Sequence, residues 1–148
     1  MAWGGVAVAL ISQHAFDMQP CPWCIIQRLA YLLLGLFAIL SLTATQSRIW
    51  ARTPLLLGGL AAVAGLAAAL YQHFVAAATS SCAFTPADKF LMATGLDELL
   101  PAVFKATAAC DEANAPLLGL PYSLWSAGLA VVLIALTCRA IARAGLRT

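Results

Sequence analysis

Residues 19–33 read "QPCPWCIIQRLAYLL", and this stretch sets a C-x-x-C pair, Cys21 and Cys24, directly against the start of a long apolar run. Two prolines flank Cys21, and Arg28 follows Cys24 by four residues, so on a helix beginning near Cys24 the thiol and the guanidinium share a face. A thiolate at a helix N-terminus beside a cation is favoured over the thiol, which makes it nucleophilic. Metal binding, a structural staple and redox chemistry can all place such a pair at the edge of a span. The rest of the sequence weighs them.

The solvent comes first. The chain has 148 residues, 63% of them hydrophobic and only 9% charged, and its mean hydropathy is +0.91. A soluble domain of this length carries about 25% charged residues. The shortfall leaves too little polar surface to cover a globule in water, so lipid is the expected solvent. The formal net charge of +2 is too small to indicate a nucleic-acid partner.

Crossing about 30 Å of hydrocarbon takes roughly 20 mostly apolar helical residues. Four spans are expected, at about 1–18, 25–44, 54–74 and 121–138, as a single all-α membrane domain over 1–148. Pro121 suits a helix opening. The first span is marginal in length and reads as truncated or poorly bounded. No basic residue precedes it, as one would in a signal peptide.

Lys and Arg in the short connections set orientation. Arg48 and Arg52 precede the third span, and Arg139, Arg143 and Arg147 follow the last, with no acid in either segment. Both basic regions belong on the cytoplasmic side, which puts loops 19–24 and 75–120 on the outer face. Arg28 then lies on the outer side against the charge rule, which marks it as a functional candidate. Small residues four apart in the third span, such as Gly58 and Ala62 or Gly65 and Ala69, read as close helix packing in lipid. Tyr122 and Trp125 read as interfacial aromatics. In the long loop, Leu96, Leu99, Leu100, Val103 and Phe104 recur at helical spacing, which predicts a short amphipathic helix broken or restarted at Pro101 and lying along the membrane.

Five cysteines remain to be placed: Cys21, Cys24, Cys82, Cys110 and Cys138. The first four fall on the outer face, where disulfides persist, and Cys138 falls at the cytoplasmic end of the last span. Four cysteines allow three pairings, and one of them keeps each pair within its own loop. A C-x-x-C disulfide closes so short a ring that it stabilises little, whereas its second thiol is always placed to resolve a mixed disulfide. A zinc site needs four ligands, but Cys82 and Cys110 lack compact knuckle spacing. Redox chemistry is therefore favoured over staples and metal. With no nucleotide fingerprint, haem motif or iron–sulfur spacing in view, a lipid-dissolved quinone is the acceptor that requires least of the chain.

"QPCPWCIIQR", the apolar spans, Cys82, Cys110 and "LGLPYSLWS" at residues 118–126 together resemble the disulfide bond formation protein B family, DsbB, over nearly the whole chain. The resemblance implies a protein-dithiol:quinone oxidoreductase of the bacterial inner membrane, with both termini cytoplasmic and the redox loops periplasmic. It implies that a DsbA-like thioredoxin-fold partner attacks a Cys82–Cys110 disulfide at Cys82. Cys110 then exchanges with Cys21, and Cys24 is freed towards ubiquinone or menaquinone, with Arg28 assisting. His73, in "LYQHF", is the further cofactor-binding candidate, and no metal is implied. His14 and Asp17 read as structural. One departure is Ala115, where a tryptophan is expected. Two alternatives stand beside this reading. One is a vitamin K epoxide reductase-like enzyme, disfavoured because its loop cysteines precede the C-x-x-C. The other is a non-catalytic four-span bundle with structural disulfides.

Overall fold

The computed structural model describes residues 1–43, 48–78, 85–114 and 116–146. Cys82 and Ala115 lie outside the described residues. Four longer helices, α1 (Ala2–Ala15), α2 (Pro22–Thr43), α3 (Arg48–Tyr71) and α7 (Tyr122–Leu146), pack on one another. Three short helices, α4 (Pro86–Thr94), α5 (Leu96–Leu99) and α6 (Pro101–Phe104), fold over the start of α2.

Among the described residues, three helices are long and apolar enough to cross a membrane: Pro22–Thr43, Trp50–Ala76 and Tyr122–Ala144. The expected span over 1–18 is shorter than drawn. With 14 residues, α1 is about 21 Å long, and the chain leaves helical geometry at Asp17, whose φ is 52°. The third span begins earlier than residue 54, because Pro54 lies inside α3 rather than at its start. Close to a helix N-terminus, proline's missing N–H and ring are tolerated. The last helix runs past Cys138 through Arg143. A helix need not stop where its apolar stretch does, and an end drawn at the first arginine falls short.

The core of the bundle joins all four long helices. Ala2 and Val6 of α1, Tyr31 and Leu34 of α2, Ala62 of α3 and Ala130 and Leu133 of α7 form one buried cluster. Small residues set the α2–α3 spacing. A Cβ placed on Gly65 would come within 3.3 Å of both Ala30 Cβ and Tyr31 Cε1. Ala62 and Ala69 are wholly buried on that face. Leu36, Ile39, Leu40, Leu60, Val63 and Val131 point outward and are exposed, the arrangement of a bundle whose outer surface meets lipid rather than water.

The long loop is ordered by local chemistry. Thr85 caps α4, with Asp88 completing a capping box, and Gly95 ends it at φ 63°. Pro101 opens α6 at a position where its missing N–H costs nothing. The spacing that predicts one apolar face is split at that break. Phe104 packs with Ile25 of α2 and Leu91 of α4, while Leu99 and Leu100 are exposed. Before α7 a two-stranded hairpin forms from β1 (Pro116–Leu117) and β2 (Leu120–Pro121). Its two-residue turn has φ 54° at Leu118 and 84° at Gly119, the geometry a tight antiparallel hairpin requires. Trp125 Nε1 donates to Leu117 O at 3.0 Å and fixes the hairpin to α7.

Candidate active site: three thiols beside a mostly apolar cavity

Cys21 immediately precedes α2, and its sulfur accepts from the Cys24 backbone N–H at 3.4 Å, as an N-cap side chain would. Pro22 then supplies the fixed φ of a first helical residue. The consequence is that the two sulfurs stand 3.1 Å apart at the N-terminal end of α2, both as buried thiols.

Cys110 joins them. Cys21, Cys24 and Cys110 form one buried cluster with Ala76, flanked by Trp23 and Ala113. The long loop is held there by its backbone: Thr107 N–H and Ala108 N–H both donate to Pro20 O, at 3.0 and 3.3 Å. Thr107 Oγ1 donates to Gln19 Oε1, and the Gln19 amide in turn donates to Asp17. These contacts latch residues 107–110 onto the turn that carries Cys21. The thiols respond to that closeness. The hydrogen bond to Cys110, with the one to Cys24 and burial, holds the Cys21 thiol far above its ordinary range. The hydrogen bond from Cys21 chiefly favours the Cys110 thiolate and moves that group below its ordinary range.

Arg28 is buried, and its guanidinium bridges three elements. Nη1 donates to Gln13 Oε1 at 2.7 Å and to Val103 O at 3.0 Å, and Nη2 donates to Ala9 O at 3.4 Å. One side chain thus ties α1 and α6 to α2. Beside it lies a cavity of about 310 Å³, lined by Cys24, Gln27, Arg28, Tyr31 and Tyr122 together with apolar residues of α1 and α7. A mostly apolar cleft with a few convergent polar groups fits a lipid-soluble ring bearing carbonyl oxygens. His73 is not among the lining residues. Its Nδ1 lies 3.2 Å from Ser123 Oγ, next to Tyr122, which does line the cavity.

Two glutamines of the site were missed by the sequence reading. Gln27 and Gln72 are both buried. Gln27 Nε2 donates to Gln72 Oε1 at 2.7 Å, and Gln72 Nε2 donates to Cys24 Sγ at 3.3 Å. The signal was present: a polar side chain inside an apolar span is a functional candidate, and that rule picks out both residues as readily as Arg28. His14, in the last turn of α1, and Asp17, on the turn after it, are both exposed. Cys138 is exposed and stands 16 residues beyond the start of α7, roughly 24 Å along the helix.

The family model for disulfide bond formation protein DsbB matches residues 1–140. The chain belongs to the DsbB family. It is 36% identical over 123 residues to disulfide bond formation protein B of Cupriavidus metallidurans, covering 82% of this chain and 74% of that one. It is 34% identical over 128 residues to the protein of the same name from Cupriavidus necator, covering 85% and 77%. Its identity to the Ralstonia nicotianae protein is 32% over 139 residues, covering 93% and 84%. No solved structure matches the chain significantly. As a DsbB member it is a membrane thiol:quinone oxidoreductase that re-oxidises a DsbA-like dithiol. The vitamin K epoxide reductase-like and stapled-bundle alternatives are not favoured.

Proposed function

We propose that Cys21, Cys24, Cys82 and Cys110 carry the two-electron transfer and that the cavity beside Cys24 and Arg28 receives the quinone. The observation that carries this reading is the convergence of Cys110, from the long loop, on the Cys21–Cys24 pair at the wall of that cavity. A partner thiolate attacks Cys82 of a Cys82–Cys110 disulfide, and Cys110 leaves as a thiolate. Cys110 attacks Cys21, the Cys21–Cys24 bond breaks, and the electron pair of that bond stays on Cys24. The partner's second thiol closes its own disulfide and releases Cys82, which displaces Cys21 from Cys110. Two electrons then rest on Cys21 and Cys24. A bound quinone supplies the sink for those electrons and two protons.

Arg28 holds the cavity wall and offers its remaining N–H groups to a carbonyl oxygen. His73 acts at one remove, bracing the start of α7 through Ser123. In the bilayer, α1 is the fourth span, its outer end reached by the turn around Asp17. The reading places the chain in a bacterial inner membrane with both termini cytoplasmic and loops 19–24 and 75–120 periplasmic. The partner is a periplasmic thioredoxin-fold dithiol, and the acceptor is ubiquinone or menaquinone.

Anaerobic quinone reduction by the purified protein tests it, with a reduced DsbA-like protein as donor. Quinone loss should equal donor dithiol oxidised and fall to background in Cys24→Ser and Cys82→Ser. Turnover that survives either substitution would overturn the four-cysteine route.

A further inference from the structure

Gln72 sits where α3 changes geometry. From Gln72 to Ala76 the helix is a π turn, closed by the Ala77 N–H to Gln72 O bond at 2.9 Å. Such turns are rare and concentrate at functional positions. This one buries Gln72 completely, near the end of a segment apolar enough to cross a membrane. A buried amide is costly unless both its ends are bonded, and both ends are. Oε1 accepts from Gln27 Nε2 at 2.7 Å, and Nε2 faces Cys24 Sγ at 3.3 Å. The bond from Gln27 identifies the oxygen, so the Gln72 N–H₂ is the group presented to sulfur.

Arg28 is the obvious cation for a Cys24 thiolate, but its hydrogen bonds go to Gln13, Val103 and Ala9. Among the described residues, the side-chain N–H that reaches the Cys24 sulfur is instead that of Gln72, alongside the Cys21 thiol at 3.1 Å. When Cys21 is taken by another thiol, the electron pair of the Cys21–Cys24 bond stays on Cys24 Sγ, and a preset N–H meets that charge with no reorganisation. Gln72 Oε1 also lies 3.6 Å from the same sulfur and can accept from the protonated thiol.

We propose that Gln72, oriented by Gln27, stabilises the Cys24 thiolate and so favours the form of Cys24 that donates electrons. This rests on the assignment of Cys24 as the quinone-facing thiol, but its test does not need a quinone. Cys24 is left as the sole cysteine by replacing Cys21, Cys82, Cys110 and Cys138 with serine. Its alkylation by iodoacetamide is then followed by mass against pH in detergent, for Gln72 and for Gln72→Met and Gln72→Glu. Methionine keeps the length and removes the donor; glutamate keeps the acceptor and adds a like charge. At pH 7 alkylation should fall about tenfold in Gln72→Met, the scale of one hydrogen bond to a charged group, and further in Gln72→Glu. All three should converge at alkaline pH, a convergence that a merely structural defect would not give. Superimposed profiles from well-folded variants would overturn the proposal. Should Gln72→Met fail to fold, Gln27→Met leaves Gln72 in place but unoriented. A fall of about threefold is then expected, and an unchanged profile overturns the proposal equally.

Discussion

Two cavities open among the long helices, both bordered by α1, α2 and α7, and what sets them apart is their lining. The outer one, about 310 Å³, is walled by Cys24, Gln27, Arg28, Tyr31 and Tyr122. The other, about 420 Å³, lies towards the opposite end of the bundle against Trp3, Leu34, Gly35, Ala38, Leu133 and Thr137. The larger cavity has no thiol or charged group on its walls. Its polar atoms are satisfied by backbone: Trp3 Nε1 donates to Leu32 O at 3.3 Å, and Thr137 Oγ1 to Leu133 O at 2.8 Å. In the outer cavity, polar side chains reach between elements, from α2 to α1, α3, α6 and α7. Space between helices is therefore common in this bundle. Buried polar side chains that bridge separate elements are what make one space a reaction site.

The sharpest way to break the contrast is to remove the bridging charge geometry while keeping the charge. Arg28→Lys retains a cation but loses the planar fork that spans Gln13, Val103 and Ala9. Quinone reduction should fall on the order of a hundredfold, roughly 2.7 kcal/mol of lost transition-state stabilisation. Thr137→Val, which removes a buried hydroxyl at the other end, should leave turnover within about twofold. Equal losses from the two changes would mean that burial of a polar group, and not its place beside Cys24, explains the effect.

A smaller effect is expected from filling space. Ala9 lines the outer cavity and Ala38 the other. Ala9→Phe should raise the KM for quinone about tenfold, and Ala38→Phe should leave it unchanged. Steady-state kinetics at saturating donor separates the two. A KM that responds to Ala38→Phe and not to Ala9→Phe would move the quinone to the other end of the bundle.

The same contrast explains what was legible in the sequence. Periodicity does not reveal the site, but the C-x-x-C pair and Arg28 do, because thiols and a charge at a span's edge have few other reasons to be there. Helix boundaries were less legible. Pro54 and Arg139 look like ends, yet α3 begins before the one and α7 continues past the other, since a helix tolerates proline near its start and arginine beyond the lipid. Gln27 and Gln72 were legible as polar side chains in apolar spans, but only the structure shows that both are buried and that they link to Cys24 through Gln72. The approach of Cys110 to Cys21 was implied by the family resemblance alone and had no local signal in the residues. It depends on backbone bonds from Thr107 and Ala108 to Pro20, which carry no side-chain signature.

That latch supplies the subtlest test. Thr107 Oγ1 reaches Gln19 while the neighbouring N–H groups hold Pro20, so Thr107→Val removes one strut and leaves the backbone pair. In the fully reduced protein, Cys110 has its thiolate favoured by the hydrogen bond from Cys21, and Cys21 has its thiol favoured by the same contact. A group moved down is ionised at lower pH, so Cys110 should be alkylated at lower pH than Cys21 when both are followed by mass along a pH series. In Thr107→Val the loop is held less closely, the contact between the two sulfurs loosens, and the two profiles should draw together. The rate at Cys110 near neutral pH should fall about threefold, the scale of one partly exposed hydrogen bond. Because the Cys21–Cys24 contact is made within the turn that opens α2, alkylation of Cys24 should be unaffected. A Cys24 profile that moved together with Cys110 would show that the latch organises the whole thiol cluster and not only the loop's arm of it.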